Sequence, residues 1–532
     1  MKLKFIGADH EVTGSCHFIE ACGRNMIVDY GMEQGVNIYE NVSLPVLAEE
    51  IDYVFLTHAH IDHSGLLPLL YAEGFRGKIY ATNATAQLAS IMLRDSAHIQ
   101  MAESEWRNRK AKRGSEIEEY EPIYDMQDAD GAIKCFEPCP YDKVIEVTKG
   151  ISIRFNDIGH LLGSAAIEVW LEEDGIKRKI VFSGDVGNHD QPLIKEPGKI
   201  EEADYVIVES TYGDRLHKQA ALDYVDELTS ILKETFDRGG NVIIPSFAVG
   251  RTQELLYFLR KIKTEKLVKG YDDFKVYVDS PLAVEATNIF NKNIEECFDE
   301  DAMKLVRKGI NPISFPGLQL SITSDESKAL NFDEEPKVII SASGMCEAGR
   351  IRHHLKHNLW RRECTILFVG YQAVGTLGRN IVEGASKVKL FGETVDVNAS
   401  VRQLLGLSGH ADRDGLTEWM SGFKNKPLKV FVVHGDDEVC DIFAEHLRKE
   451  LSLDTFAPFS GAVYDLSKDK LTENPAGVRI SKKKRSSNAI FDRLIAAGQR
   501  LLSVIRHNEG GANKDLAKFA DQINSLCDKW DR

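Results

Sequence analysis

Three imidazoles and one carboxylate fall within six consecutive positions, His58-Ala59-His60-Ile61-Asp62-His63, and few folds can accommodate such a run in their interior. It follows Tyr53-Val54-Phe55-Leu56, which reads as a short buried strand. It precedes Ser64-Gly65 and an apolar helix carrying Leu66, Leu67, Leu69 and Leu70. On a tight loop between strand and helix, His58 and His60 can point to one side and grip one metal ion. Asp62 and His63, round the bend, can face a second. Imidazole nitrogen combined with a hard carboxylate suits Zn²⁺ first, with Mn²⁺ or Fe²⁺ as alternatives. A lone histidine here would need no explanation beyond a surface loop; four potential ligands in this order do.

The same texture, an apolar run ending at glycine and a titratable group, recurs along the chain. Met26-Ile27-Val28 ends in Asp29, which reads either as a turn cap or as an acceptor orienting a ligand histidine through its free ring N–H. Ile151–Phe155 leads to Gly159-His160, where glycine permits close backbone approach. Ile180-Val181-Phe182 leads to Gly184-Asp185, a carboxylate suited to bridging two metals. Val430–Val433 ends in His434-Gly435, echoing His160, and Leu407-Ser408-Gly409 introduces His410. Between these stretches strands alternate with helices. Val206-Ile207-Val208 precedes Glu209 and a helix of Leu222, Val225, Leu228, Ile231 and Leu232. Val242–Ile244 precedes Ser246–Arg251, Val338–Ile340 precedes Ser341-Ala342-Ser343-Gly344, and Ile366–Val369 precedes Gly370-Tyr371. This alternation implies a parallel sheet covered by helices, with its small-residue turns gathered at one ligand-binding rim. The helix from Gly349 carries Arg350, Arg352, His353, His354, Lys356 and His357. A solvated basic face accounts for that cluster, and so does phosphate binding at a helix N-terminus. Residues 84–126 read as a charged, solvated helical layer.

A chain of 532 residues exceeds one hydrophobic core, so two or three domains are expected. Its net charge of −16 argues against a generic nucleic-acid coat, though not against a nucleic-acid enzyme whose acidic metal ligands enter that count. No apolar run reaches membrane-spanning length. The nine cysteines are scattered without a CxxC pair, as expected of a reduced, cytoplasmic protein. After the basic run Lys482-Lys483-Lys484-Arg485, two amphipathic helices follow, broken at Glu509-Gly510-Gly511. Their stripes (Ile490, Leu494, Ala497, Leu501, Val504; then Leu516, Phe519, Ile523, Leu526) must pack on the body of the protein, a second copy or a protein partner.

Taken in order, Asp29, the His58–His63 loop, His160, Asp185 and His434 resemble the metallo-β-lactamase superfamily. Glu209, Ser408-Gly409-His410 and His434-Gly435 match the three further motifs of its nucleic-acid-processing branch, the β-CASP family. Glu11-Val12-Thr13-Gly14-Ser15-Cys16 and Phe247-Ala248-Val249-Gly250-Arg251 look closest to the RNA-cleaving members. The resemblance covers residues 1–468 and not the helical tail. It implies an α/β fold: an αββα metallo-β-lactamase sandwich (1–206 and 396–468) with an inserted β-CASP parallel-sheet domain (207–395). A basic linker and helical hairpin (469–532) would follow. It also implies one zinc on His58, His60, His160 and Asp185, and another on Asp62, His63, His434 and the same Asp185, with Asp29 supporting from behind. The expected reaction is hydrolysis of single-stranded RNA by a hydroxide bridging the two zincs. Asp62, His410 and Glu209 would be catalytic, His410 protonating the leaving oxygen while Glu209 keeps it charged. Ser343, Gly344, Arg350, His353, His354 and Arg251 would contact substrate. A DNA nuclease is the rival enzyme, disfavoured because DNA-repair members of the family tend to carry valine where His434 stands. A non-catalytic RNA-binding scaffold is the rival from another class, disfavoured because no ligand position departs from the pattern.

Overall fold

The computed structural model describes residues 1–530 except 36, 114–119, 218–222, 374, 405, 481–487 and 509. Leu222, Glu509 and the Lys482–Arg485 run therefore lie outside the described residues. Among those described, the apolar runs build two mixed sheets of eight and seven strands and a parallel sheet of six. The eight-stranded sheet orders Lys470–Glu473, Val463–Asp465, Lys2–Gly7, Cys16–Ala21, Arg24–Val28, Tyr53–Phe55, Lys78–Thr82 and Phe136–Cys139. The seven-stranded sheet orders Thr455–Phe456, Lys429–Val432, Tyr205–Val208, Ile176–Phe182, Ala165–Glu173, Ile151–Asp157 and Ile145–Thr148. Both sheets thus join strands from the two ends of the sequence.

These two sheets pack face to face. Leu3, Phe5, Ile19, Met26 and Phe55 of one meet Phe155, Ile167, Val169, Phe182 and Phe431 of the other, all buried. Each such side chain contributes about 1.5–3 kcal/mol by leaving water. Helices cover both outer faces: Leu67–Ala72 and Asn83–Arg113 on one side, Arg413–Ser421 and Asp437–Leu451 on the other. The expected αββα sandwich is the fold observed. The third sheet orders Leu318–Leu320, Lys275–Val278, Lys337–Ser341, Val242–Pro245, Thr365–Phe368 and Ser400–Gln403, and every pairing in it is parallel. Its central strands are apolar on both faces because helices bury both. All its strands end at one rim.

Several expectations change. Tyr205–Val208 pairs with Ile176–Phe182 and Lys429–Val432, so it belongs to the sandwich, and a cut at 206/207 would split it. Ser400–Gln403 completes the parallel sheet, beyond a cut at 395/396. Lys470–Glu473 is an edge strand of the sandwich, and the chain stays docked as far as Ile480, whose N–H donates to the Ile38 carbonyl. The stretch 84–126 is helical as expected over Asn83–Arg113, but it is not wholly solvated: its N-terminal half buries Ala86, Leu88, Ala89, Leu93 and Ala97. In the tail, Asn488–His507 reaches the body through Arg506, 3.0 Å from Glu49, whereas Asn513–Trp530 buries none of its residues. Among the described residues no helix is long and apolar enough to cross a membrane.

Candidate metal centre

Four strand ends from the two packed sheets open at one edge, and each delivers part of a site. Tyr53–Phe55 feeds the Thr57–His63 loop, Ile151–Asp157 feeds His160, Ile176–Phe182 feeds Asp185, and Lys429–Val432 feeds His434. The first loop is tight because His60 caps the four-residue helix Ile61–Ser64, which swings Asp62 and His63 to the other side. Gly184, at φ +55°, lets the Asp185 turn lie against Thr57; a Cβ there would fall 2.8 Å from the Thr57 Cβ. His434 itself is left-handed (φ 49°), an uncommon state for a side chain of this size. It is held by its N–H on the Ala8 carbonyl at 2.7 Å and its carbonyl on the Ser210 N–H at 3.1 Å.

The donor atoms converge in two groups. His60 Nδ1 lies 3.1 Å from His58 Nε2 and 3.2 Å from His160 Nε2. Asp185 Oδ2 is 3.4 and 3.5 Å from the same His58 and His160 nitrogens. Across the carboxylate, Asp185 Oδ1 is 3.3 Å from His63 Nε2, which is 3.1 Å from His434 Nε2; that nitrogen is 3.7 Å from Asp62 Oδ2. Within each of the sets His58–His60–His160–Asp185 and Asp62–His63–His434, all donor atoms lie within 4.8 Å of one another. This arrangement fits metal ions by its own chemistry. Asp185 Oδ1 is buried without a hydrogen-bond donor, and three pairs of ring nitrogens crowd to 3.1–3.2 Å. A cation at each focus resolves both conflicts.

Electrostatics acts in opposite directions on the two sets. Burial, then neighbouring His58, pushes His60 down to about 3, so it is neutral at physiological pH. Burial and His410 lower His160, and burial and His63 lower His58. His63 and His434 are also pressed down by burial, but Asp185 above all lifts both, Asp29 adding for His63 and Asp62 for His434. The far ring nitrogens are anchored: His63 Nδ1 to Asp29 (2.7 Å), His160 Nδ1 to the Gly409 carbonyl (2.8 Å), His434 Nδ1 to Thr211 Oγ1 (3.2 Å) and His58 Nδ1 to Thr57 Oγ1 (3.1 Å). Asp29 caps and orients at once, since it also accepts from Thr57 N–H and Oγ1–H, both at 2.8 Å. Of these supports, sequence reading found Asp29 alone. Thr57 and Thr211 adjoin functional residues and were within reach; a backbone carbonyl such as Gly409's leaves no trace in a sequence.

His410 sits beside the first set, its ring 4.5 Å from that of His160 and Nδ1 3.2 Å from Glu209 Oε1. Glu209 is buried and held by Val186 N–H (2.6 Å) and Thr211 N–H (3.2 Å). Burial disfavours the imidazolium, but Glu209 and then Asp185 outweigh it and raise His410 to about 9.

The structure disperses the remaining expected residues along the rim of the parallel sheet. Arg350 is turned inward, donating to Asp279 Oδ1 at 2.7 Å and to the Ile322 carbonyl at 2.6 Å. His354 is fully buried, bound to Asp279 Oδ2 at 2.6 Å and Asn331 at 3.0 Å. His353 is exposed and stacks on Phe391 with centroids 4.4 Å apart. Arg251 pairs with Glu254 and donates to the Leu407 carbonyl at 2.5 Å. Ser343 Oγ accepts from Ala348 N–H at 3.3 Å, and the Gly344 carbonyl accepts from Gln372 at 3.0 Å. The basic cluster is therefore divided, Arg350 and His354 being held by Asp279, whose carbonyl accepts from Ser341 Oγ just before Ser343 and Gly344.

A sandwich whose open edge gathers two histidine–aspartate donor sets around a shared carboxylate, with a parallel sheet inserted beside it, defines a metal-dependent hydrolase of the metallo-β-lactamase class. Residues 11–225 match the metallo-β-lactamase superfamily, 252–381 the Beta-Casp domain, and 394–458 the Zn-dependent metallo-hydrolase RNA specificity domain. The chain is 37% identical over 439 residues to ribonuclease TTHA0252 of Thermus thermophilus, covering 82% of this chain and 94% of that protein. It is 30% identical over 474 residues to the transcription termination factor FttA of Methanocaldococcus jannaschii (86% and 71% covered). An RNase J-like protein of the same organism is 32% identical over 464 residues (87% and 99%). The chain belongs to the β-CASP family of the metallo-β-lactamase superfamily.

Proposed function

We propose that this protein is a ribonuclease that hydrolyses phosphodiester bonds in single-stranded RNA. The observation that carries the reading is the pair of donor sets on either side of Asp185, whose two oxygens face His58 and His63, with the His410–Glu209 pair against one of them. Similarity to proteins named ribonuclease and RNase J-like, and the match to an RNA specificity domain, support RNA as the substrate. His58, His60, His160 and Asp185 would hold one zinc, and Asp62, His63, His434 and Asp185 the other. When bound, the two cations supply an acidified water and neutralise charge gathering on the phosphoryl oxygens.

The other steps belong to side chains. Asp29 holds the His63 proton on Nδ1, which leaves Nε2 free to ligate. His410 turns Nδ1 to Glu209 and so presents Nε2 for proton donation to the leaving 3′-oxygen. Glu209 keeps that imidazole cationic until the transfer. Ser343 and Gly344 would meet the substrate backbone, and Arg350 and His354 would contribute by holding Asp279, which is bonded to Ser341 at the base of that loop. The RNA lies between the sandwich and the rim of the parallel sheet. The tail helices, of which Asn513–Trp530 buries no residue, would contact a second copy of the chain or a protein partner. The nine unpaired cysteines support a reducing compartment such as the cytoplasm.

End-labelled RNA and DNA of one sequence, incubated with zinc-loaded and chelator-treated protein, test this reading. Cleavage of RNA in preference to DNA, lost on chelation and restored by zinc, is expected. No RNA cleavage by the loaded protein, or cleavage undiminished after the metals are removed, overturns it.

A further inference from the structure

Two large aromatic side chains stand exposed where the parallel sheet faces the metal centre. Phe247 follows the strand Val242–Pro245 and is 49% exposed; Tyr371 follows the adjacent strand Thr365–Phe368 and is 62% exposed. The strands pair in parallel, so both turns leave the sheet at the same rim. Lys337–Ser341 pairs with Val242–Pro245 on its other side, and its turn brings Gly344 to the same place. A Cβ on Gly344 would lie 3.2 Å from both Cδ2 and Cε2 of Phe247, so the ring rests directly over the glycine. Buried Gln372 ties the group together by donating to the carbonyls of Gly344, Gly370 and Tyr371 at 3.0, 3.3 and 3.1 Å.

The rim leads to the reacting centre. Arg251, four residues after Phe247, holds the Leu407 carbonyl, and the chain runs from there to His410. The Tyr212 ring stands edge-on to His410, centroids 6.0 Å apart. Aromatic rings therefore stand both at His410, where Tyr212 lies, and along the rim of the parallel sheet, where Phe247 and Tyr371 are exposed.

We propose that Phe247 and Tyr371 form a stacking platform for the bases of single-stranded RNA on its way to the metals. This rests on the ribonuclease reading above and adds how the chain is held. Every base has a π-face, so stacking binds RNA without regard to sequence. A protein of net charge −16 gains little from generic attraction to phosphates, and stacking supplies affinity that survives salt. Gly344 is part of the device, because any side chain there would push the Phe247 ring away.

The test uses full-length, zinc-loaded protein and a non-cleavable 2′-O-methyl RNA 12-mer, beside a 12-mer with abasic sites at its centre. Metal content and melting temperature of each variant establish that it is folded. Phe247→Ala and Tyr371→Ala are each expected to weaken binding of the base-containing RNA about 5- to 100-fold. Binding of the abasic RNA, already weaker in the wild type, should change little. Phe247→Trp is expected to restore discrimination between the two oligomers. Phe247→Leu keeps apolar bulk without the ring and is expected to behave like alanine. Wild-type discrimination in the alanine or leucine variants overturns the platform, as does equal loss of both oligomers. A wild type that cuts no RNA yet prefers bases to abasic sites would refute the ribonuclease reading and leave the platform standing.

Discussion

Replacing Asp29 by Asn changes one oxygen to nitrogen and sets two hydrogen-bond donors against each other inside the protein. The carboxylate is 1% exposed and accepts three hydrogen bonds: Thr57 N–H at Oδ1, and Thr57 Oγ1–H and His63 Nδ1–H at Oδ2. An amide placed with its oxygen toward Thr57 N–H turns its NH₂ to Thr57 Oγ1 and His63 Nδ1. The threonine hydroxyl can rotate to accept; the His63 N–H cannot. Flipping the amide only moves the clash to the Thr57 backbone. The variant therefore carries an unsatisfied buried donor costing about 1–3 kcal/mol, or His63 moves its proton to Nε2. That nitrogen lies 3.1 Å from His434 and 3.3 Å from Asp185, where a free lone pair is needed. Losing a partner behind a ligand histidine weakens metal binding about 10- to 100-fold, or about 1.4–2.7 kcal/mol. The loss should fall on the Asp62–His63–His434 set and spare His58, His60 and His160. Competition with a chromogenic chelator, combined with elemental analysis, would resolve two zincs released at different affinities. RNA turnover should recover as free zinc is raised, and urea unfolding of the metal-free proteins should show the donor clash separately. Wild-type affinity at both sites, or equal weakening of both with unchanged metal-free stability, refutes the reasoning.

Other outcomes follow from the same geometry. His410→Ala should retain both metals and lose about 10²- to 10⁴-fold in kcat; undiminished turnover with full metal content removes His410 from the mechanism. Glu209→Gln takes away the charge that does most to lift His410 to about 9, so the alkaline limb of kcat should move toward neutral pH. In the metal-free protein this raised value stabilises the fold fully below the free imidazole value of about 6.5. That contribution is lost as pH rises through about 9, so the melting temperature should decline across this window in the wild type and less in Glu209→Gln. Deleting 481–532 leaves the edge strand Lys470–Glu473 in place and should shift the solution mass from dimer to monomer; an unchanged oligomeric state by light scattering removes the second copy as the tail's contact and leaves a protein partner.

Much of the centre was legible because coordination chemistry admits few residue types. Imidazoles and a carboxylate packed between an apolar strand and an apolar helix have little else to do, and His160, Asp185 and His434 each end an apolar run beside a glycine. Sheet membership was less legible. Tyr205–Val208 and Val242–Pro245 are apolar runs of the same length, one in the sandwich and the other in the inserted sheet. What separates them is the strand each one bonds to, and that choice is made by neighbours far along the chain. The basic helix misled in the same way, since Arg350 and His354 are bound by Asp279, 71 and 75 residues away.

Residue types and their order were enough to establish that this chain binds metal and belongs among the metallo-hydrolases, because donor atoms are a property of side chains. Which donors share a focus, which carboxylate lies between the sets and which cations are already paired were settled by folding. His63 and His434 stand 371 positions apart in the sequence, and their Nε2 atoms lie 3.1 Å apart. Coordination depends on lone pairs meeting within a few ångströms, and separation along a flexible chain carries no record of that distance until two sheets have closed on a common core.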